Sequence, residues 1–169
     1  GINKHLQQAL AHLEISVPTD IQEKTIPLVL NQTEDLVVVA KTGTGKTVAF
    51  GVPLLQLIDI QNPNVQVVIL APTRELGQQI HANLVAYASE NPSISMASVC
   101  GVIPIKPQIE RLKTPTHIVV ATPGRLVDLV KRGAINLKQL ASLVLDEADE
   151  MVSALKQDLD LIVKEVPKS

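Results

Sequence analysis

Leu36-Val37-Val38-Val39-Ala40 runs directly into Lys41-Thr42-Gly43-Thr44-Gly45-Lys46-Thr47. The first five residues form a short β-branched apolar run, and the glycines that follow break it. The pattern predicts a strand over 36–40, a turn, and a helix opening near Thr47. Gly43 and Gly45 allow backbone conformations that turn N–H groups toward an anion, and the helix N-terminus adds its positive dipole end. The ending Gly45-Lys46-Thr47 matches a phosphate-binding loop, with Ala40 where the first glycine of that pattern usually stands. In such a loop a lysine at Lys46 reaches the β- and γ-phosphates, and a hydroxyl at Thr47 ligates Mg²⁺. Thr42 and Thr44 complete the loop. An incidental glycine-rich turn is the competing reading, and the strand before it and helix after it weigh against that. A nucleoside-triphosphate site is expected.

Outward from this stretch the chain alternates. Further strands are predicted over 65–71, 95–100, 117–121 and 140–145, and helices over 47–60, 75–89, 105–113, 125–132 and 149–165. Two more helices, over 4–13 and 21–30, precede the first strand. They meet at the turn Pro18-Thr19, with Thr19 or Asp20 as N-cap. The strands are continuous apolar runs without in/out alternation, as in a parallel sheet covered on both faces. The expected fold is therefore a doubly wound α/β domain spanning 1–169, with helices on both faces of the sheet.

The chain has 169 residues, 46% hydrophobic and 19% charged, which suits a packed globular core. Apolar runs are too short to span a bilayer, and no charged and apolar leader opens the chain. The single cysteine, Cys100, forms no internal disulfide, which favours a reducing cytoplasm. Cys100 and the histidines His5, His12, His81 and His117 lack metal-ligand spacing and read as core or surface residues. The formal charge is −2, and Phe50 and Tyr87 are the only aromatic residues. Taken alone, these values argue against a nucleic-acid binder built on a basic surface or on stacking side chains.

Leu143-Val144-Leu145-Asp146-Glu147 ends the last predicted strand on two acids. A phosphate loop needs such a carboxylate for Mg²⁺. Asp146 suits that role through water, because Mg²⁺ keeps much of its hydration. Glu147 is placed to orient or deprotonate an attacking water, which favours hydrolysis. A solvated helix N-terminus is the alternative, and Glu150 is read that way.

Asp146-Glu147-Ala148-Asp149 spells D-E-A-D, and the chain resembles the DEAD-box RNA helicase family over essentially its whole length. Pro18-Thr19-Asp20-Ile21-Gln22 is similar to the family's Q motif. Pro72-Thr73-Arg74-Glu75-Leu76 resembles motif Ia, and Thr122-Pro123-Gly124-Arg125 resembles motif Ib. The resemblance implies a P-loop NTPase of RecA-like fold, with ATP and Mg²⁺ as cofactors and Gln22 reading adenine. An amide can do so because it both donates and accepts. Thr19 contacts Gln22 or the phosphate loop, or serves as a simple cap. Pro72, Thr73, Arg74, Thr122, Pro123, Gly124 and Arg125 would hold the RNA sugar-phosphate backbone, each group between a strand end and a helix start. For Arg74 the competing reading is an ion pair with Glu75. Arg111 and Arg132 read as surface residues. The resemblance assigns Asp149 to coupling between domains, although it could cap the next helix.

Some positions depart from the family pattern. The aromatic that stacks on adenine would fall before Gly1, and Glu14-Ile15 replaces a Gly-aromatic pair. Gly101-Val102 stands where a Gly-Gly pair contacts RNA, and Gly77 where alanine is usual. Ser153-Ala154-Leu155 lies too close to the acids to be the family's Ser-Ala-Thr motif. The chain stops before that motif and before a second RecA-like domain. The expected enzyme is a cytoplasmic monomer in which ATP and RNA bridge both domains, and this part alone is nearly inactive. Another P-loop enzyme, such as a DNA translocase or nucleotide kinase, is the second reading. A non-catalytic module with a vestigial loop is the third.

Overall fold

The computed structural model describes residues 1–168. They form two compact units, one of 1–59 with 82–94, the other of 60–81 with 95–168.

The first unit is helical. Helix α1 (Lys4–His12) starts at Asn3, whose Oδ1 accepts the Leu6 N–H at 3.0 Å, and it buries Leu6, Ala9 and Leu10 on one stripe. Helix α2 (Asp20–Asn31) begins after Thr19. Helix α3 (Lys46–Leu57) is apolar nearly all round, with Val48, Ala49, Val52, Leu54 and Leu55 buried. Gly51 lets α3 approach the C-terminal half of α4 (Arg74–Tyr87), since a Cβ there would stand 2.7 Å from Leu84 Cδ2.

The predicted strand over 36–40 does not form. These residues join no sheet, with Val37 93% and Val39 90% exposed and Leu36 and Val38 about 40%. The alternation is that of a strand backbone, but valine propensity supplies no hydrogen bonds by itself.

The second unit holds a four-stranded, wholly parallel sheet. Strands β1 (Val67–Leu70), β2 (Met96–Val99), β3 (Ile118–Ala121) and β4 (Ser142–Leu145) lie in the order β2-β3-β1-β4. The register pairs Val67 with both Ile118 and Ser142, and Met96 with Ile118. Helices α5 (Ile105–Leu112), α6 (Pro123–Lys131), α7 (Ala148–Ala154) and α8 (Lys156–Glu165) flank it with the start of α4. Because β1 and β3 are central, they are buried on both faces, as the unbroken apolar runs predict. Val68, Leu70, Val119 and Ala121 face a cluster completed by Leu126, Leu129, Met151, Leu159 and Ile162. On the other face Val120 meets α4 at Gly77. Each fully buried aliphatic side chain here contributes about 1.5–3 kcal/mol.

The helix predicted over 149–165 is two. Leu155, at φ −130° and ψ 27°, separates α7 from α8, and its N–H still bonds the Met151 carbonyl at 2.8 Å. No glycine or proline marks the break; Leu155 turns out of the helical path while packing on the core. Among the described residues no helix is long and apolar enough to cross a membrane.

Candidate functional site

In the first unit the glycine-rich loop is held by the N-terminus of α2. Gly43 (φ +82°) and Gly45 (φ +83°) are both left-handed, a conformation glycine enters at little cost. The Thr19 hydroxyl donates to the Thr44 carbonyl at 2.9 Å, and Gln22 Nε2 donates to the Gly45 carbonyl at 3.2 Å. Gln22 Oε1 accepts the Thr19 N–H at 3.0 Å, one half of a capping box. Thr44 Oγ1 donates to the Lys41 carbonyl at 2.6 Å. A Cβ on Gly45 would collide with Gln22 Nε2 and lie 3.4 Å from Thr19 Oγ1. Thus Thr19 both caps its helix and reaches the loop. Gln22 is buried, with its amide turned to the loop backbone. One N–H of Nε2 and one lone pair of Oε1 remain for other partners. Thr42 and Gly43 are exposed at the loop's tip, while Lys46 and Thr47, half-buried, open α3.

In the second unit the strand order decides which candidates meet. The carboxyl ends of β2, β3, β1 and β4 stand side by side, roughly 4.8 Å from one strand to the next. They present, in that order, Gly101, Thr122 to Arg125, Pro72 to Arg74, and Asp146 with Glu147. The Ala71 N–H bonds the Ala121 carbonyl, and the Asp146 N–H bonds the Leu70 carbonyl, each at 3.0 Å. The ladder thus carries the candidates beyond the strands proper.

Thr73 N-caps α4, its Oγ1 accepting the Leu76 N–H at 3.2 Å. Arg74 makes the competing contact anticipated for it, Nη2 to Glu75 Oε1 at 3.2 Å. Hydrogen bonds from its own backbone and from Arg74 hold the Glu75 carboxyl below its ordinary value. Both side chains are solvent-exposed, so water weakens the pair. Pro123 occupies the first turn of α6, where its missing N–H costs nothing. Gly124 is exposed beside it, 3.6 Å from Asp158 Oδ2 as measured from an added Cβ. Glu147 is the N-cap of α7 at φ +54°, uncommon outside glycine, and its N–H bonds Asp146 Oδ1 at 3.1 Å. Asp149 lies exposed in the first turn of α7 and is not its cap; the Ser153 hydroxyl bonds its carbonyl.

Two polar residues escape the sequence reading. Gln108, buried on α5, links the Cys100 carbonyl to Arg125. Its signal was a polar residue on the apolar stripe of Ile105, Ile109 and Leu112. Arg111 is half-buried rather than a plain surface residue. Its guanidinium bonds Thr114 and Thr116 Oγ1, Ser95 Oγ and the Met96 carbonyl at 2.7–3.0 Å, clasping the start of β2. Arg132 does lie on the surface, paired with Asp128 at 2.8 Å.

A family model described as DEAD/DEAH box helicase matches residues 19–169. The chain belongs to the DEAD/DEAH box helicase family. Among curated relatives, the ATP-dependent RNA helicase CshA of Limosilactobacillus reuteri is 40% identical over 168 residues, 99% of this chain and 33% of that protein. The DEAD-box ATP-dependent RNA helicase CshA of Streptococcus pneumoniae is 44% identical over 150 residues, 88% of this chain and 28% of its own length. The crystal structure of a DEAD box protein from the hyperthermophile Methanococcus jannaschii superposes with TM-score 0.93 at 37% identity. It is covered over 99% of this chain and 46% of its own. A Dbp5 variant of S. cerevisiae bound to RNA and ADP BeF3 gives TM-score 0.91 at 26% identity, over 99% and 42% of the two chains. The DEAD-box chain described here therefore spans about a third of the curated relatives it matches, and the RecA-like expectation for its fold is met.

Proposed function

We propose that this chain is the nucleotide-binding and RNA-binding part of an ATP-dependent RNA helicase. The observation that carries the proposal is the row of strand ends, where two helix N-termini with their hydroxyls and arginines stand between Gly101 and the acid pair. Helix N-termini, hydroxyls and arginines are the groups that bind phosphodiesters without reading bases. The relatives' names and the RNA-bound structure of like fold support RNA and adenine nucleotide as ligands.

In this reading the loop residues Thr42 to Gly45 and Lys46 hold the nucleotide phosphates, and Thr19 and Gln22 hold the adenine end. The fit rests on the donor set. Two left-handed glycines, a lysine and a hydroxyl at a helix start suit a polyphosphate. Thr47 and Asp146 would each offer Mg²⁺ a hard oxygen donor, and the ion when bound would neutralise phosphate charge. Glu147 takes the proton from, or orients, the attacking water. Pro72 to Arg74 and Thr122 to Arg125 hold the RNA backbone. Asp149 couples hydrolysis to docking of a second RecA-like domain of the same protein, which acts as a cytoplasmic monomer.

The test is ATP turnover by the full-length protein, with and without RNA or DNA. Stimulation by RNA is expected, with Lys46→Ala lowering nucleotide affinity and Glu147→Gln sparing affinity but stopping turnover. Stimulation by DNA alone would point to a translocase. Unchanged turnover in Glu147→Gln would remove Glu147 from its role.

A further inference from the structure

We propose that Gln108 is a positioning residue for Arg125, and that it sets RNA affinity without touching RNA. This rests on the RNA-backbone role given to Arg125 above. The Gln108 amide is buried, so both its ends must find partners. Nε2 donates to the Cys100 carbonyl at 3.0 Å, and Oε1 accepts from Arg125 Nη1 at 2.6 Å. Arg125 Nη2 then donates to the Ile103 carbonyl at 2.8 Å, and the Gly101 N–H donates to Thr122 Oγ1 at 3.0 Å. These four bonds clasp the loop 101–104 to the start of α6. Two of the five guanidinium donors are used, and three are left for a phosphate. An arginine fixed in advance loses less freedom when the phosphate arrives.

Val102 gives independent evidence that the clasp is under constraint. It is 85% exposed and lies at φ +76°, which a β-branched residue adopts only when its surroundings impose it. Its neighbours are the two clasped points, the Gly101 N–H before it and the Ile103 carbonyl after it.

The experiment measures RNA-stimulated ATP turnover of the full-length protein with a homopolymer RNA. Gln108→Leu is expected to raise the KM for RNA about three- to tenfold, the cost of ordering one side chain on binding. The kcat at saturating RNA and the KM for ATP should stay within twofold. Arg125→Ala should raise the KM for RNA by itself, and Gln108→Leu added to it should change little more. Gln108→Glu keeps the acceptor for Arg125 and should hold the KM for RNA nearer the native value than Leu does. It carries the comparison if the Leu variant does not fold. An unchanged KM for RNA in Gln108→Leu, a Glu variant as weak as Arg125→Ala, or equal factors with and without Arg125 would overturn the positioning role. If Arg125→Ala itself leaves RNA stimulation unaltered, the RNA role of Arg125 fails first, and the positioning role with it.

Discussion

Gly77→Ala tests the packing directly beneath the strand ends. An added Cβ would stand 2.7 Å from Cys100 Sγ, and 3.8 Å from Ala71 Cβ and Val120 Cγ1. Ordinary contact between such atoms is about 3.5–4.0 Å, so the sulfur must move by about 1 Å. Cys100 is buried, and burial pushes its thiol pKa up, so the sulfur acts as a small neutral group with little room to turn. Alanine gains about 1 kcal/mol of helix propensity over glycine, while overpacking costs about 1–3 kcal/mol. The single variant should thus lose about 0–2 kcal/mol. Cys100→Ala alone should lose about 1 kcal/mol, on the scale of one buried methylene. In the double variant the new methyl enters the space the sulfur leaves, and the propensity gain offsets the lost sulfur. Stability should return to near native, a coupling of about 1–3 kcal/mol by these figures. Urea unfolding midpoints at unchanged m measure it. Singles that add within about 0.5 kcal/mol, or Gly77→Ala stabilising by its full propensity gain, would refute the reasoning. Glycine suits position 77 because the volume a Cβ would take there is filled by Cys100.

Val102→Gly should stabilise the protein by about 0.5–1 kcal/mol, because relief of a left-handed valine outweighs the extra freedom of glycine in the unfolded chain. For a chain of this size that raises the thermal midpoint by roughly 1–4 °C, and a lower midpoint would deny that Val102 is strained. Burial, with a smaller push from Arg111 and against the Met96 carbonyl, holds the His81 pKa below its ordinary 6.5. The unfolded chain therefore takes up the proton first. His81 contributes full stability above about pH 6.5, and loses it as pH falls toward the folded pKa. The urea midpoint should fall between pH 7 and pH 5.5 and fall less in His81→Gln; an identical slope in that variant would assign the effect elsewhere.

The alternation of strands and helices was legible because it depends on runs of like residues. β1 to β4 lie within the predicted segments, trimmed at their ends where pairing stops. The start of α2 was legible too, since Pro18-Thr19 marks the turn and Thr19 is the N-cap. What failed was whatever depends on a distant partner. The run over 36–40 has strand composition, but composition does not supply the second strand of a ladder. The break at Leu155 follows from packing on the core rather than from a helix-breaking residue. Gln108 and Arg125 are 17 positions apart, and nothing in their local sequence says that one holds the other.

The arginines show what this changes for the site. By sequence pattern two of them, Arg74 and Arg125, fall in phosphate motifs, and two, Arg111 and Arg132, read as surface residues. The structure divides them by geometry instead. Arg111 and Arg125 each donate to several partners and brace the two ends of the sheet, at the start of β2 and beyond the end of β3. Arg74 and Arg132 each make one exposed ion pair with a near neighbour. A chain of net charge −2 thus commits half of its arginines to bracing. Two kinds of donor are then left at the strand ends. In the proposed RNA-binding role Arg74, held only by a pair that solvent weakens, would exchange Glu75 for a phosphate, while Arg125 would keep its clasp and offer its remaining N–H groups. The first would contribute mainly charge, and the second mainly direction. Mobile charge attracts a polyanion, but fixed donors decide the path its backbone takes. Low net charge and scarce aromatics are therefore compatible with RNA binding, provided the loop that fixes Arg125 is built first.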